Sequence, residues 1–265
     1  MQGGEGATRG RGCDDGGMVS RAVERIASDG VLILGGARAI LLQVADPTIA
    51  AGVAKHSDFA HRPLERLHNT LTFAYAVVLG TDADAERVAS FVNRAHVPVN
   101  RAEDADLQLW VAATLYDTAA LVHEVVYGNP DDALADELYR EYERLGTSLQ
   151  MPASLWPTDR AAFDEYWNDR LKDLEVTDEA RRIARDLFHP VTAPRWLRAG
   201  LPLARLLTID LLPKSVRKAY RFRHGPIRRW QARQAWRLVR VIALLLPARV
   251  KSWPARRYLA QLRRK

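Results

Sequence analysis

The sequence predicts an all-α fold: one multi-helix domain followed by a basic helical extension. Three observations predict it. Apolar residues recur at three- and four-residue spacing through most of the chain. Those runs are punctuated by Asp, Thr or Pro at their starts and by Gly or Pro at their ends. No stretch shows the sustained alternation of a strand. The boundaries that follow are a disordered segment over 1–19, a helical domain over 20–212 and a basic tail over 213–265.

Taken in order, residues 1–19 are glycine-rich and have no apolar core, so they read as disorder and not as a secretory signal. Residues 18 to 34 read as a short amphipathic helix running into VLILGG. The Gly35–Gly36 pair lacks the patterns of a phosphate-cradling loop and reads as a point of close backbone packing, with a cofactor as one candidate neighbour. Residues 37 to 45 continue as helix, and Asp46-Pro47 restarts one, with Asp as cap. Pro63 opens the next helix, in which Leu64, Leu67, Leu71 and Tyr75 step at helical spacing. Gly80 closes it, and Thr81 or Asp82 caps a helix striped by Val88, Val92, Ala95 and Val99.

Residues 104 to 127 present Leu107, Val111, Leu115, Thr118, Val122 and Val125 as a buried face. Trp110 and Thr114 fall among the core residues, and His123 at the rim. Gly128-Asn129-Pro130 breaks this helix, and a charged helix over 131–145 ends at Gly146. Thr158 or Asp159 caps a helix bearing Phe163, Tyr166 and Trp167, an aromatic group expected in the core. Thr177 caps the helix over 177–188, with Asp178 and Glu179 at its positive end. HPVTAPRW reads as a proline-rich connection.

At 48% hydrophobic residues the 265-residue chain can bury a sizeable core. A single cysteine, Cys13, excludes an intrachain disulfide and a cysteine-rich cluster, and fits a reducing, cytoplasmic setting. No uninterrupted apolar run approaches the roughly 20 residues of a membrane span. The formal net charge of +7 is unevenly placed. Residues 211–265 hold 17 Lys and Arg and no acid, which leaves 22 basic and 32 acidic side chains in the rest, a net of −10. Within the tail, Arg229, Arg233, Arg237 and Arg240 line one face of residues 226–246, with Trp230, Val241, Leu244 and Leu245 elsewhere around it. Three partners suit such a helix: the acidic body of the same chain, an anionic membrane periphery, and nucleic acid. Nucleic acid fits least, because no known reading module surrounds the charges.

The candidate site lies between Gly35 and Leu115. Arg66 and Thr70 are four apart and share a helix face. His96 follows Val92 by four on an apolar stripe, where a core histidine and a metal ligand are both open readings. His56 stands near a helix end as a cap or a binding residue. Glu65-x-x-His68, even with Asp186-x-x-His189 as a near match, falls short of the set a di-iron bundle needs. Serine-hydrolase, zinc-protease and kinase motifs are absent from the sequence.

Taken together, LLQVADP, GVAKHSDF, the Arg-x-x-x-Thr of Arg66 and Thr70, the His-x-x-Val of His96 and Val99, LQLWVAATL and LPKSVRKAY resemble the rubber oxygenase (latex clearing protein) and MpaB-type oxygenase family over roughly residues 20 to 222. The resemblance implies an all-helical domain enclosing a b-type haem, with His96 as iron ligand and Arg66 and Thr70 beside the haem. It also allows His56 to meet a propionate. Rubber-cleaving members carry a lysine just before the threonine, where this chain has Asn69. The family's longer Tyr-x-Ala loop after the histidine is here only Asn100 to Asp106.

The function so implied is a haem b-dependent oxygenase acting on a hydrophobic unsaturated or isoprenoid-like small molecule. Two alternatives stand beside it. One is a non-catalytic haem-binding or membrane-surface relative; the other is a non-haem iron protein using histidines with Glu65. The oligomeric state is left open.

Overall fold

Helical spacing is realised as fourteen α-helices, with no strand among the described residues. The computed structural model describes residues 20–56, 63–96, 101, 103–190 and 194–264, and only the backbone at 56, 63–67, 95, 96, 196 and 197. The helices are α1 (Arg21–Ala27), α2 (Gly36–Gln43), α3 (Pro47–His56), α4 (Pro63–Leu79), α5 (Asp82–His96), α6 (Ala105–Tyr127) and α7 (Asp132–Thr147). They continue with α8 (Arg160–Asp173), α9 (Asp178–Phe188), α10 (Arg195–Leu211), α11 (Lys214–Ala219), α12 (Pro226–Leu245), α13 (Ala248–Lys251) and α14 (Trp253–Leu262). A 3-10 turn, Gly30–Gly35, links α1 to α2 where the sequence suggests a continuous run.

The expected caps form. Asp46 Oδ1 accepts from the Thr48 and Ile49 amides at 2.8 and 3.1 Å. Thr81 and Asp84 cap α5 reciprocally: each side chain accepts from the other's amide, at 3.2 and 3.1 Å. Asp159, rather than Thr158, caps α8 by accepting from Ala162 N at 2.8 Å. Gly128 adopts φ 91° and ends α6. Gly146 does not end α7, which runs to Thr147. A Cβ there would meet Met151 Sδ and Cε at 2.7 Å, so the glycine makes room for a neighbour instead. Helix α10 forms around Pro202, immediately after the proline-rich connection.

Helix α6 is the axis of the core. It packs against α2, the 3-10 turn, α7 and α12. By length and composition α6 could cross a bilayer, yet most of that stretch is buried by the surrounding helices. Trp110 is fully buried, and its indole N–H donates to Leu42 O at 3.1 Å. Tyr116 meets Phe163 edge-on at 4.9 Å and Tyr139 at 5.0 Å, while Trp167 lies 5.1 Å from Trp110. The aromatic group of α8 is therefore core, as its spacing suggests. Burying side chains of this size contributes roughly 1.5–3 kcal/mol each, an upper figure against a compact unfolded chain. Toward its C-terminal half α6 supplies Val122 and Val126 to a second cluster with Leu207, Leu211 and Trp236.

A polar seam fixes α6 against its neighbours. Arg38 is only 2% exposed. Its guanidinium donates to Leu211 O at 2.9 Å and Thr118 Oγ1 at 2.6 Å, and pairs with Asp117 at 2.5 Å. One side chain thereby ties α2, α6 and α10 together. Gly35 makes the close approach that its sequence suggests, and the neighbour is α6: a Cβ would meet Thr118 Cγ2 at 2.4 Å and Val122 Cγ2 at 2.9 Å.

The C-terminal helix folds back. Tyr258 of α14 lies 5.0 Å from His68 and 5.7 Å from Tyr75 on α4. Arg263 donates to Asp84 Oδ2 at 3.1 and 2.8 Å. One cation just past α14, Arg263, thus pairs with an acid of the chain's own helical body.

Candidate functional site

The site is built on the α4–α5 hairpin. Gly80 and Thr81 join the two helices, which pack antiparallel. The turn needs glycine: a Cβ at Gly80 would meet Ala76 O at 2.3 Å and Asp84 Cβ at 2.9 Å. At 1.5 Å per residue, Arg66 lies about 20 Å up α4 from the turn, and His96 about 21 Å up α5. The two positions therefore stand at the same, open end of the hairpin.

Helical register then sorts the faces. On α4, positions 66, 70, 73 and 77 form one row, and 68, 72, 75 and 79 lie on the opposite side. Phe73 and Val77 of the first row are buried, and Thr70 is half-buried. On α5, positions 85, 89, 92 and 96 form a row in which Ala85 and Ala89 are buried and Val92 is half-buried. Both candidate rows are buried near the turn, and on α4 so are Tyr75, Ala76 and Val78 of the other faces. The side chains of Arg66, His96 and His56 lie outside the described residues; their helical positions alone are placed here. His56 is the last residue of α3, bordering the undescribed segment 57–62 that leads into α4. Asn69 is exposed and falls off the row of Thr70.

The opposite face of α4 is occupied. His68 and Tyr75 are covered by Tyr258, and the buried Tyr75 hydroxyl has no hydrogen-bond partner among the described residues. Burial, with Tyr258 and Asp29 nearby, pushes the Tyr75 phenol upward, so it stays neutral. Hydrogen bonds from Arg263 hold Asp84 below the usual carboxylate range. The di-iron candidates are engaged separately, His68 with Tyr258 and His189 with Arg205 at 3.5 Å, while the Glu65 side chain lies outside the described residues. Trp110 and Thr114 are core residues, the latter accepting from Gln43 Nε2 at 3.0 Å. His123 sits half-buried at 5.2 Å from Tyr127, where burial pulls its pKa down.

Sequence reasoning gave no part to Arg38 and Asp117, which position α6. The signal was available: each is a charge inside an otherwise apolar helical stretch, GGARAILL and VAATLYDTAALV.

Comparison with known proteins follows this geometry. The family profile described as "ER-bound oxygenase mpaB/B'/Rubber oxygenase, catalytic domain" matches residues 24–257. The match runs through α12 and into α14, beyond the stretch from which the resemblance was read. Two curated relatives are each 35% identical over 173 residues, covering 60% of this chain and 68% of theirs. They are the uncharacterized proteins Mb2261 of Mycobacterium bovis and Rv2237 of Mycobacterium tuberculosis. No solved structure matches. With helices throughout the described residues and a profile match across nearly all of them, the protein belongs to the MpaB and rubber oxygenase catalytic-domain family.

Proposed function

We propose that the chain is a haem b-dependent oxygenase acting on a hydrophobic unsaturated, isoprenoid-like substrate. The observation that carries the reading is the family match over residues 24–257, supported by the helical spacing that sets Arg66 and Thr70 on one face of α4 and His96 at the corresponding distance from the turn on α5. The donor set fits a haem. An imidazole is a common ligand of haem iron, and a guanidinium with a hydroxyl would suit a propionate. A bound haem supplies the iron at which oxygen is reduced. This chain's residues would supply placement and dryness.

His96 would present one ring nitrogen to the metal. Arg66 would hold the negative charge of a propionate, with an effect enlarged where water is excluded. Thr70, one turn on, can donate one hydrogen bond toward the same side. Phe73, Val77, Ala85 and Ala89 make the apolar floor that excludes water from beneath.

The test is the visible spectrum of protein produced with haem supplementation, beside His96→Ala. A Soret band at near one haem per chain, lost or shifted in the variant, supports the ligand assignment. Absence of haem from both samples would falsify the reading. Haem retained without oxygen uptake on any isoprenoid would leave the haem site and remove the turnover.

A further inference from the structure

Among the described residues, twelve large apolar side chains stand exposed, and ten of them fall between residues 227 and 253. They are not scattered. On α12, positions 227, 230, 238, 241 and 245 fall in one stripe at three- and four-residue spacing. The stripe carries Ile227 (74% exposed), Trp230, Leu238, Val241 and Leu245 (78% exposed). Leu246, Val250 and Trp253, just past the helix end, are exposed too. The helix is docked by its other side: Ala232, Trp236 and Ala243 are buried, and α12 packs on α6 and α10. The stripe is therefore a second apolar face, left over after the core has taken the first.

Charge decides what covers it. Arg233, Arg237 and Arg240 run along one flank of the stripe, with Arg229 next to them. Asp210, beside Arg229 and Arg233, is itself held by His224 at 2.9 Å. No acid occurs anywhere from 211 to 265. A second copy of α12 on this face would set arginines against arginines with no carboxylate to separate them. An anionic surface meets both features at once, because the stripe enters the acyl boundary while the arginines and the two tryptophans stay at headgroup level.

We propose that the outer face of α12 docks the protein flat on an anionic lipid bilayer. A helix of 20 residues offers about 30 Å of contact along the surface. The proposal does not rest on the oxygenase reading, since it needs neither haem nor turnover.

The experiment is flotation of the full chain with vesicles of phosphatidylcholine alone or mixed with phosphatidylglycerol. Binding is expected on the anionic vesicles, at least tenfold weaker on the neutral ones, and weakened by salt. Leu238→Gln/Val241→Gln/Leu245→Gln should reduce partitioning at least tenfold. Arg233→Gln/Arg237→Gln/Arg240→Gln should reduce it roughly a hundredfold, the scale of three cations at an anionic surface. All six side chains are exposed, so circular dichroism and Tm should match the parent. The lipid and salt series on the parent chain needs no variant. The proposal fails if the parent ignores anionic vesicles, or if the apolar triple variant binds as the parent does. It fails equally if light scattering finds a dimer that the apolar variant abolishes while vesicle binding is absent.

Discussion

Asp84 serves two helices. Its carboxylate closes the capping box at the start of α5 and also receives the Arg263 guanidinium from α14. Because those bonds hold its pKa below the ordinary 3.8, its contribution is fully present above that value and is lost as pH falls through the depressed one. Arg263→Gln should raise the pH midpoint of acid unfolding, and the difference from the parent should fade in stronger acid. Circular dichroism against pH reads both. Asp117 has the opposite weight. Removing it with Asp117→Ala leaves the buried Arg38 cation unpaired, a change that costs about 3–5 kcal/mol. Gly35→Ala forces a methyl into Thr118 and Val122 and should cost about 1–3 kcal/mol. Urea midpoints at constant m-value check both variants.

At the scale of the element, α14 covers one side of α4. Tyr258 lies over His68 and Tyr75, on the side opposite Thr70. Tyr258→Ala should expose the orphaned Tyr75 hydroxyl and speed hydrogen exchange in the first half of α4 more than in α6. Equal acceleration in both helices would mean that α14 stabilises the fold globally and not the hairpin. The helices themselves were largely written in local chemistry. Asp46, Thr81, Asp104, Asp131 and Thr177 each accept the backbone bonds that their position before an apolar run implies. Helix α10 was hidden because Pro202 and the prolines ahead of it signal breaks, whereas burial of Leu207, Thr208 and Leu211 outweighs them.

At the scale of the molecule, a bound haem would lock together the open end of the hairpin. Ligand linkage then predicts a Tm that rises with haem supply in the parent and much less in His96→Ala. Thermal unfolding with and without haem measures it. The sequence by itself determined the helical class, most helix starts and the pairing of Arg66 with Thr70 on one face. These depend on residues within one or two turns of each other, where spacing alone carries the information. Only the tertiary structure decided which of the two faces of α4 is covered, that Arg38 spans three helices, and that α14 returns over the hairpin while α12 keeps an apolar face outward. Those outcomes join residues such as Asp84 and Arg263, 179 positions apart, and local periodicity is silent about which distant surface a helix will meet.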